Sequence, residues 1–532
     1  MAGKRWHQGR AAGGRYAPSL WRVWLVAPLA LLAAGAASYV VYKYVVYDLV
    51  ADAAGNANPP KPVNVSDVIK TTIAIVALIG AVLGGVYAYR KQRIAEGDAH
   101  RADANQLADR YTTAAEQLGH DQPAVRLAGV YALARLADDW EEQRQVCIDV
   151  LCAYLRMPYE TNPASPTHKQ GEREVRHTII RVIGHHLQPN ASVPWWEHNF
   201  DFTDATFDGG NLSSSQFKGS VYFTGAKFSG GFVDFTGAKF SGGFVDFTGA
   251  EFSGGRVDFT GAEFSDGLVI FHHAQFSGGA VEFTRADFSD GRVDFTGAEF
   301  SGSPVDFTGA EFSGGWVAFS DAAFSDGAVA FNHSRFSGGA VDFTSAKFSG
   351  GLVDFDIAQF TGSKVDFTQA KFSDGIVQFS WSQFSDGTVD FSGATFSGSS
   401  VNFSEAEFPG SKMDFSIAQF SGGTVEFFGA KFSDGTVDFG GGQFSGGAVE
   451  FPRAEFSGGL VDFGIAQFSG GTVRFSGAEF FAGRVDFSGA HFSGGTVHLR
   501  SASSWANPPI FDGDVLGSPP TGLLLPDLSV DS

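Results

Sequence analysis

The chain is organised by a stretch that repeats every twelve residues. Residues Val233–Phe244 read VDFTGAKFSGGF, and the twelve residues that begin at Val245 read VDFTGAEFSGGR. The Val-x-Phe signature recurs from Val221–Phe223 to Val485–Phe487, and the series of about 24 units ends at Val497–Leu499. Repetition at a short fixed period is typical of a solenoid, in which successive repeats stack along one axis.

Each unit contains two apolar pairs with the spacing of a β-strand. Val233 pairs with Phe235, and Ala238 pairs with Phe240. Residues two apart in an extended segment point to the same side, so we expect these side chains to face a core while the polar residues between them face water. The glycines supply tight corners. The unit therefore predicts short strands joined by corners, and no helical period fits it.

Two coils are compatible with this unit: a flat coil of twelve residues, or a coil of two units with four faces. The entry segment favours the second, because Phe202, Phe207, Leu212 and Phe217 are spaced by five. This spacing resembles the pentapeptide-repeat family, whose unit is a small residue, a polar residue, Leu or Phe, and two more small or polar residues. The resemblance implies a mainly β fold, a right-handed quadrilateral β-helix with about 24 residues per coil, in which each later unit is two pentapeptides plus a two-residue corner insertion.

Alternate units also differ systematically, which supports a coil of two units. Aspartate recurs every 24 residues, while the interleaved positions vary, as at Asp354, Gln378 and Asn402. Duplication of units in pairs would leave the same pattern. A stack of about 12 to 13 such coils is expected. The recurring aspartates are Asp342, Asp366, Asp390, Asp414, Asp438, Asp462 and Asp486.

These seven aspartates are the candidate partner-binding residues. Carboxylates stacked at strand spacing repel one another, a cost that a neutral residue would avoid. One interpretation is a solvated face that keeps the rod soluble. The others are a docking strip for a basic partner, or mimicry of a DNA backbone. The resemblance implies mimicry, because some pentapeptide-repeat proteins are acidic rods that occupy the DNA-binding saddle of DNA gyrase.

The residues before the repeats predict two membrane spans and a helical domain. Two apolar runs are long enough to cross a bilayer as helices, and helical periodicity follows them. The predicted segments are a basic cytoplasmic tail (1–22), a first transmembrane helix (23–42), an external loop (43–70), a second transmembrane helix (71–89), an α-helical cytoplasmic domain with a linker (90–198), the β-helix (199–500) and a Pro-rich C-terminal cap or tail (501–532).

Charge bias predicts the orientation of these spans. The tail carries five Lys or Arg residues and no acidic residue, and the second span is followed by Arg90, Lys91 and Arg93. Basic flanks stay on the cytoplasmic side, so both termini and the solenoid are expected in the cytoplasm of a bacterial cell, attached to its membrane. A cleavable signal peptide ending near Ala34–Ala36 is the alternative, but the apolar run continues past those residues.

The remaining chemistry excludes most function classes. The net charge of −21 argues against direct nucleic-acid binding. No catalytic, cofactor or metal site is expected, since the glycines precede no Lys-Ser or Lys-Thr pair and His272 and His273 lack partners at ligand spacing. Cys147 and Cys152 are expected to be buried reduced thiols. The sequence predicts a non-enzymatic, membrane-anchored scaffold for an unknown protein partner. The alternative is an acidic DNA mimic that binds or inhibits gyrase or another topoisomerase.

Overall fold

The computed structural model describes residues 23–55, 65–265, 267–288, 291–505, 509–513, 515 and 518–525. The chain forms two compact units, residues 1–113 and residues 114–532. The predicted cytoplasmic tail, residues 1–22, lies outside the described residues, as do residues 56–64 of the predicted loop and parts of the Pro-rich end.

The described part of the first unit contains two long helices, α1 (Val23–Gly55) and most of α2 (Val65–Leu118), whose last residues, from 114 on, belong to the second unit. α1 covers the predicted first span and extends beyond it, and α2 runs from the predicted second span into the predicted helical domain without a break. Among the described residues, one segment, Ile69–Glu96, is long and apolar enough to cross a membrane. This segment contains the predicted second span, whereas membrane crossing by residues 23–42 stays a prediction.

The second unit begins with a small helical bundle. Cys147 and Cys152 are buried and unpaired in it, and burial raises the pKa of these thiols to about 11 and about 12, respectively. The expectation of buried reduced thiols is confirmed. The elements of the bundle after α2 are α3 (Pro123–Asp139), a 3-10 turn (Glu141–Gln143), α4 (Arg144–Arg156) and α5 (Glu172–Leu187).

The bundle covers the first coil of the solenoid. α4 contacts the strand Phe200–Asp201, and α5 contacts the strand Gly210–Asn211. Asp208 joins the two parts, since it accepts hydrogen bonds from His177 (2.7 Å), Tyr159 (2.8 Å) and Arg173 (3.0 Å). The open end of a β-solenoid would expose unpaired backbone groups, and the helices protect it.

The solenoid consists of four ladders of short parallel strands, which we call A to D in chain order around one coil. Between the second and the penultimate coil, partners such as Val221 and Val245, or Phe360 and Phe384, are 24 residues apart. Each coil therefore contains two repeat units, and the flat twelve-residue coil is excluded.

The strands of each ladder follow one another along the axis. Ladder A contains Phe200–Asp201, Val221–Tyr222, Phe244–Asp246, Leu268–Ile270, Arg292–Asp294, Trp316–Ala318, Ala340–Asp342, Lys364–Asp366, Thr388–Asp390, Lys412–Asp414, Thr436–Asp438, Leu460–Asp462 and Arg484–Asp486. Ladder B contains Thr206–Phe207, Gln275–Phe276, Glu299–Ser301, Ala323–Asp326, Thr395–Phe396, Gln419–Phe420, Gln443–Phe444, Gln467–Phe468 and His491–Phe492. Ladder C contains Gly210–Asn211, Ala280–Glu282, Val305–Asp306, Ala328–Ala330, Ser400–Asn402, Thr424–Glu426, Ala448–Glu450, Thr472–Arg474, Thr496–His498 and Leu523–Leu524. Four longer strands run through both B and C: Lys227–Asp234, Glu251–Asp258, Lys347–Asp354 and Lys371–Gln378. Ladder D contains Gln216–Phe217, Lys239–Ser241, Glu263–Ser265, Glu311–Ser313, Arg335–Ser337, Gln359–Thr361, Gln383–Ser385, Glu407–Phe408, Lys431–Phe432, Glu455–Phe456, Glu479–Phe480 and Ser504–Trp505.

Stacked phenylalanines fill the core. Phe367 is fully buried, and its ring lies parallel to those of Phe343 and Phe391, with centroids 4.7 and 4.6 Å away. Phe379, on the opposite side of the same coil, meets Phe367 edge to face at 6.2 Å. The ring spacing matches the strand spacing, so every coil adds the same aromatic layer.

Two kinds of corner alternate around each coil. The first is a type II turn such as Phe223–Ala226, in which Ala226 N–H donates to Phe223 O at 2.9 Å and Gly225 has a φ of +63°. The second follows the sequence Ser-Gly-Gly or Ser-Asp-Gly, the latter at residues 265–267. A Cβ on Gly267 would lie 2.7 Å from the carbonyl oxygen of Gly243 in the preceding coil, so a side chain does not fit there.

The first and last coils depart from the 24-residue step. Phe200 pairs with Val221, 21 residues away, because the entry pentapeptides lack the corner insertions. At the other end, the segment after residue 500 adds strands of its own, and Val497 pairs with Leu523. The ladders therefore continue into the Pro-rich segment predicted as a cap or tail.

Candidate functional site

The seven predicted aspartates lie in register on ladder A. Asp342 is paired with Asp366, and each following aspartate is paired with the next through Asp486. With strands roughly 4.8 Å apart, the structure brings all seven carboxylates into one row, which we call the acidic row. Its role as a binding surface stays a prediction.

Every carboxylate of the acidic row has a local structural role. Each accepts the backbone N–H of the residue two positions later, at 2.7 to 2.9 Å. This Asx arrangement leads the chain into the type II corner. In ladder C, Asn402 accepts the N–H of Ser404 in the same way, at 2.9 Å. The corner thus needs an acceptor oxygen, and this need explains why aspartate is favoured there. The sequence analysis, which considered only charge repulsion, did not identify this role.

Three of the seven carboxylates are also ion-paired. Lys364 lies 2.7 Å from Asp366, Lys412 lies 2.8 Å from Asp414, and Arg484 pairs with Asp486 in the same way. Although burial raises it, the pKa of Asp366 is lowered overall, because Lys364 donates a hydrogen bond to the carboxylate. These three positions are largely neutralised.

Asp438 and Asp462 form a section of the acidic row that we call the unpaired section. The residues two positions earlier are Thr436 and Leu460, so neither carboxylate has a basic neighbour on its own strand. The residues two positions later are glycines, so no hydroxyl covers either carboxylate, as that of Ser488 covers Asp486 at 2.5 Å. Burial, and the nearby charges of Asp414 and Asp462, raise the pKa of Asp438. Lys412, on the preceding strand, and the Gly440 N–H offset this only in part.

An exposed apolar strip runs along the corner between ladders A and B, beside the unpaired section. Its members are Ile417, Gly441 and Ile465, which occupy the same turn position in three successive coils. The isoleucine residues are 63% and 66% exposed. Ile417 Cγ2 and Ile465 Cδ1 lie 3.4 and 3.9 Å from where a Cβ on Gly441 would be, so they close over this glycine from both sides. We call this surface the Ile strip.

The backbone of the Ile strip is strained. Ile417 and Ile465 have φ of +53° and +54°, at a position where Gly441 has +67°. A β-branched residue is rare in this conformation, which glycine adopts without cost. The strip was not identified from the sequence, although the signal was present: isoleucine stands at a turn position where about half of the units have glycine.

The helical bundle contains a cavity of about 680 Å³ between the end of α2, α3, α4 and the segment before α5. Three of its polar side chains interact with one another. Arg126 Nη2 lies 3.2 Å from Glu172, and the Tyr154 hydroxyl donates to Glu172 at 3.0 Å. This cluster joins α3, α4 and α5. Within the described part of the chain, no three His, Cys, Asp or Glu side chains are placed to hold a metal ion.

Comparisons with known proteins add little to this description. No protein-family model matches the chain. No curated protein matches it. Among solved structures, the chain is similar to a trypsin-treated single-residue variant of QnrB1, described as a plasmid-mediated fluoroquinolone resistance protein, with 13% identity over 47% of this chain and 92% of that one. The TM-score is 0.19, so the fold of this chain rests on its own strand pairing.

Proposed function

We propose that this chain is a non-enzymatic, membrane-anchored scaffold of the pentapeptide-repeat type. Its solenoid, a right-handed quadrilateral β-helix, lies in the cytoplasm and binds a protein partner. The observation that carries the proposal is the unpaired section beside the Ile strip. Two carboxylates without an ion pair and two exposed, strained isoleucine residues occupy one corner, and the exposed apolar side chains are unfavourable in the free protein.

Membrane anchoring is supported by the segment Ile69–Glu96, which is apolar over most of its length and ends in a basic cluster. Together with residues 23–42 as a first span, it would place the tail, the helical bundle and the solenoid on one side. Because both native cysteines are buried, cysteines introduced at the surface can be labelled selectively to map the membrane topology.

Thiol labelling of the full chain in bacterial cells tests the anchoring. Single cysteines at Ser19, Asn58 and Ser493 report on the tail, the loop and the solenoid. We expect an impermeant maleimide to label Asn58→Cys in intact cells and the other two only after permeabilisation. Release of the protein by alkaline extraction, or labelling of Ser493→Cys in intact cells, would contradict the proposal. The unmodified chain is the control for background labelling.

The alternative, DNA mimicry toward gyrase, is the weaker proposal because the charge density of the acidic row is low. Duplex DNA carries one charge per about 1.7 Å, whereas the row offers one carboxylate per about 4.8 Å before its ion pairs are considered. A gyrase supercoiling assay separates the two functions. Inhibition by the full chain, abolished when the seven aspartates are changed to asparagine, would establish mimicry. Absence of an effect at micromolar concentration would leave the scaffold.

A further inference from the structure

The cavity in the helical bundle has the size and the lining of a small-molecule site. Its volume of about 680 Å³ lies in the range of ligand pockets, and every residue that lines it belongs to the second unit. The lining combines an apolar surface with charged side chains of both signs. The apolar members include Leu118, Val150, Ala153 and Met157, and the charged members are Asp121, Arg126, Lys169 and Glu172.

Arg126 offers two unused hydrogen-bond donors in the wall of this cavity. Its side chain is only 7% exposed, and Nη1 donates to the carbonyl oxygens of His120 (3.0 Å) and Asp121 (2.7 Å). Nε and Nη2 donate no hydrogen bond within the described part of the chain, although Nη2 lies 3.2 Å from Glu172 Oε2. A guanidinium binds a carboxylate through two parallel hydrogen bonds of this kind. Buried donors without acceptors are unfavourable, so an acceptor group in the cavity is favoured.

The ends of two helices add to the attraction for a negative group. α3 begins at Pro123 and α5 begins at Glu172, and both residues line the cavity. The residues before them, Gln122 and Gly171, provide no capping hydrogen bond from a side chain. The N-terminal end of a helix carries partial positive charge and exposed N–H groups. Together with Arg126, these ends favour an anionic group on the ligand.

Glu172 requires a positive group on the same ligand. Its side chain is 10% exposed, and its Oε2 accepts a hydrogen bond from the Tyr154 hydroxyl at 3.0 Å. Burial and the charge of Glu172 raise the pKa of Tyr154, so this hydroxyl remains a donor. Oε1 of Glu172 accepts no hydrogen bond from the described residues. A carboxylate bound to Arg126 would lie near this negative charge, and an adjacent ammonium group would offset the repulsion.

We propose that this cavity binds a zwitterionic α-amino acid with an apolar side chain. The carboxylate of the ligand accepts hydrogen bonds from Nε and Nη2 of Arg126, and its ammonium group donates to Oε1 of Glu172. The side chain of the ligand packs against Val150, Ala153 and Met157. Binding connects α3, α4 and α5, and it does not depend on membrane anchoring or on a partner of the solenoid.

Isothermal titration calorimetry of the full chain in detergent tests this site. The probes are L-leucine and L-phenylalanine. Each is compared with the amine that lacks its carboxylate (isopentylamine, phenethylamine) and with the acid that lacks its ammonium group (isocaproate, hydrocinnamate). We expect saturable binding of at least one amino acid, and binding of its two analogues that is weaker by at least about tenfold, because each analogue leaves one buried charge without a partner.

Variants of the cavity wall make the test specific. Ala153→Phe fills the cavity from α4 without changing the charged side chains, and it should abolish binding. Val146→Phe places the same side chain at an exposed position of α4 outside the cavity, and it should leave binding unchanged. Glu172→Gln removes the negative charge, so it should weaken binding of the amino acid but not of the matching acid. A variant that is merely unfolded would lose both.

Three results would overturn the inference. They are absence of saturable binding of both amino acids, binding that Ala153→Phe leaves intact, and binding of the acid or the amine as tightly as the amino acid. The last would show that the site recognises a single charge. Failure of the binding is distinguishable from failure of the proposed function, because neither thiol labelling nor alkaline extraction reports on this cavity.

Discussion

Individual positions in this repeat show how one side chain can serve the fold or work against it. The carboxylate of each aspartate on ladder A caps a corner, and glycine at the next turn position accepts a positive φ without strain. Isoleucine at that position adopts the same positive φ, but with backbone strain. Stacking of the aspartates follows directly from the 24-residue spacing, whereas their hydrogen bonds and the conformation of Ile417 require atomic positions, because period alone does not fix φ.

Replacing Ile417 by glycine should stabilise the free protein. A side chain in the left-handed region costs about 1–2 kcal/mol, and the entropy that glycine gains in the unfolded chain offsets part of this. We expect a net gain of about 1 kcal/mol in the free energy of unfolding, measured by urea denaturation. Ile357→Gly should behave alike. Destabilisation of both variants would show that the positive φ carries no strain.

Two substitutions at Asp390 should distinguish the role of its side chain as a hydrogen-bond acceptor from the role of its charge. Its carboxylate accepts the N–H of Ser392 at 2.9 Å. Asp390→Ala removes the acceptor and should cost about 1 kcal/mol, while Asp390→Asn keeps it, as Asn402 does elsewhere in the chain. Hydrogen exchange of the Ser392 amide measures the difference. Equal protection in both variants would contradict the capping role.

The strands and corners of the solenoid follow from simple rules of spacing. Val-x-Phe and Ala-x-Phe predict the strands, and the 24-residue alternation predicts the coil, which the pairing confirms. Two features of the solenoid were not predicted from the sequence. The first coil is shorter because its units lack the corner insertion, and the ladders extend through Leu523–Leu524 because apolar residues in the Pro-rich segment continue the stack without the repeat signature.

Removal of one ring should weaken the solenoid locally. Phe367→Ala deletes a fully buried side chain from a stack and should cost about 3–5 kcal/mol. Phe367→Leu, which imitates Leu212 of the first coil, should cost clearly less. Because each coil contacts only its neighbours, hydrogen exchange should increase between about residues 340 and 395 and remain unchanged near residue 470. Uniform loss of protection along the solenoid would contradict nearest-neighbour stability.

The organisation of the chain combines a helical unit, a bundle that covers one end of the solenoid, and the solenoid itself. Hydropathy locates the apolar segment Ile69–Glu96, and α2 continues without a break through the boundary predicted at residue 90, which stays a prediction. Periodicity predicts the helices of the bundle. It does not predict the junction with the first coil, because Asp208, His177 and Tyr159 are distant in sequence and meet only in the folded protein.

Acid should weaken this junction. Although burial raises it, the pKa of Asp208 falls to about 2, because His177 and Tyr159 donate hydrogen bonds and Arg173 is nearby. A carboxyl whose pKa is depressed in the folded state stabilises it above the unfolded value of 3.8, and this contribution is lost as the pH falls toward 2. It amounts to about 2 kcal/mol. Asp208→Asn should remove it at pH 7 and flatten the dependence of stability on pH between 4 and 2, as urea denaturation at several pH values would show. An unchanged pH dependence would contradict this role.

Site-specific photo-crosslinking in cells tests the docking surface most directly. A benzophenone amino acid replaces Ile465 in the full chain, and the same substitution at Ile357 is the matched control. We predict that Ile465 crosslinks to one protein partner, identified by mass spectrometry, and that Ile357 does not. Absence of a crosslink at Ile465, or the same crosslinks at both positions, would contradict the assignment of the Ile strip and the unpaired section as the docking surface.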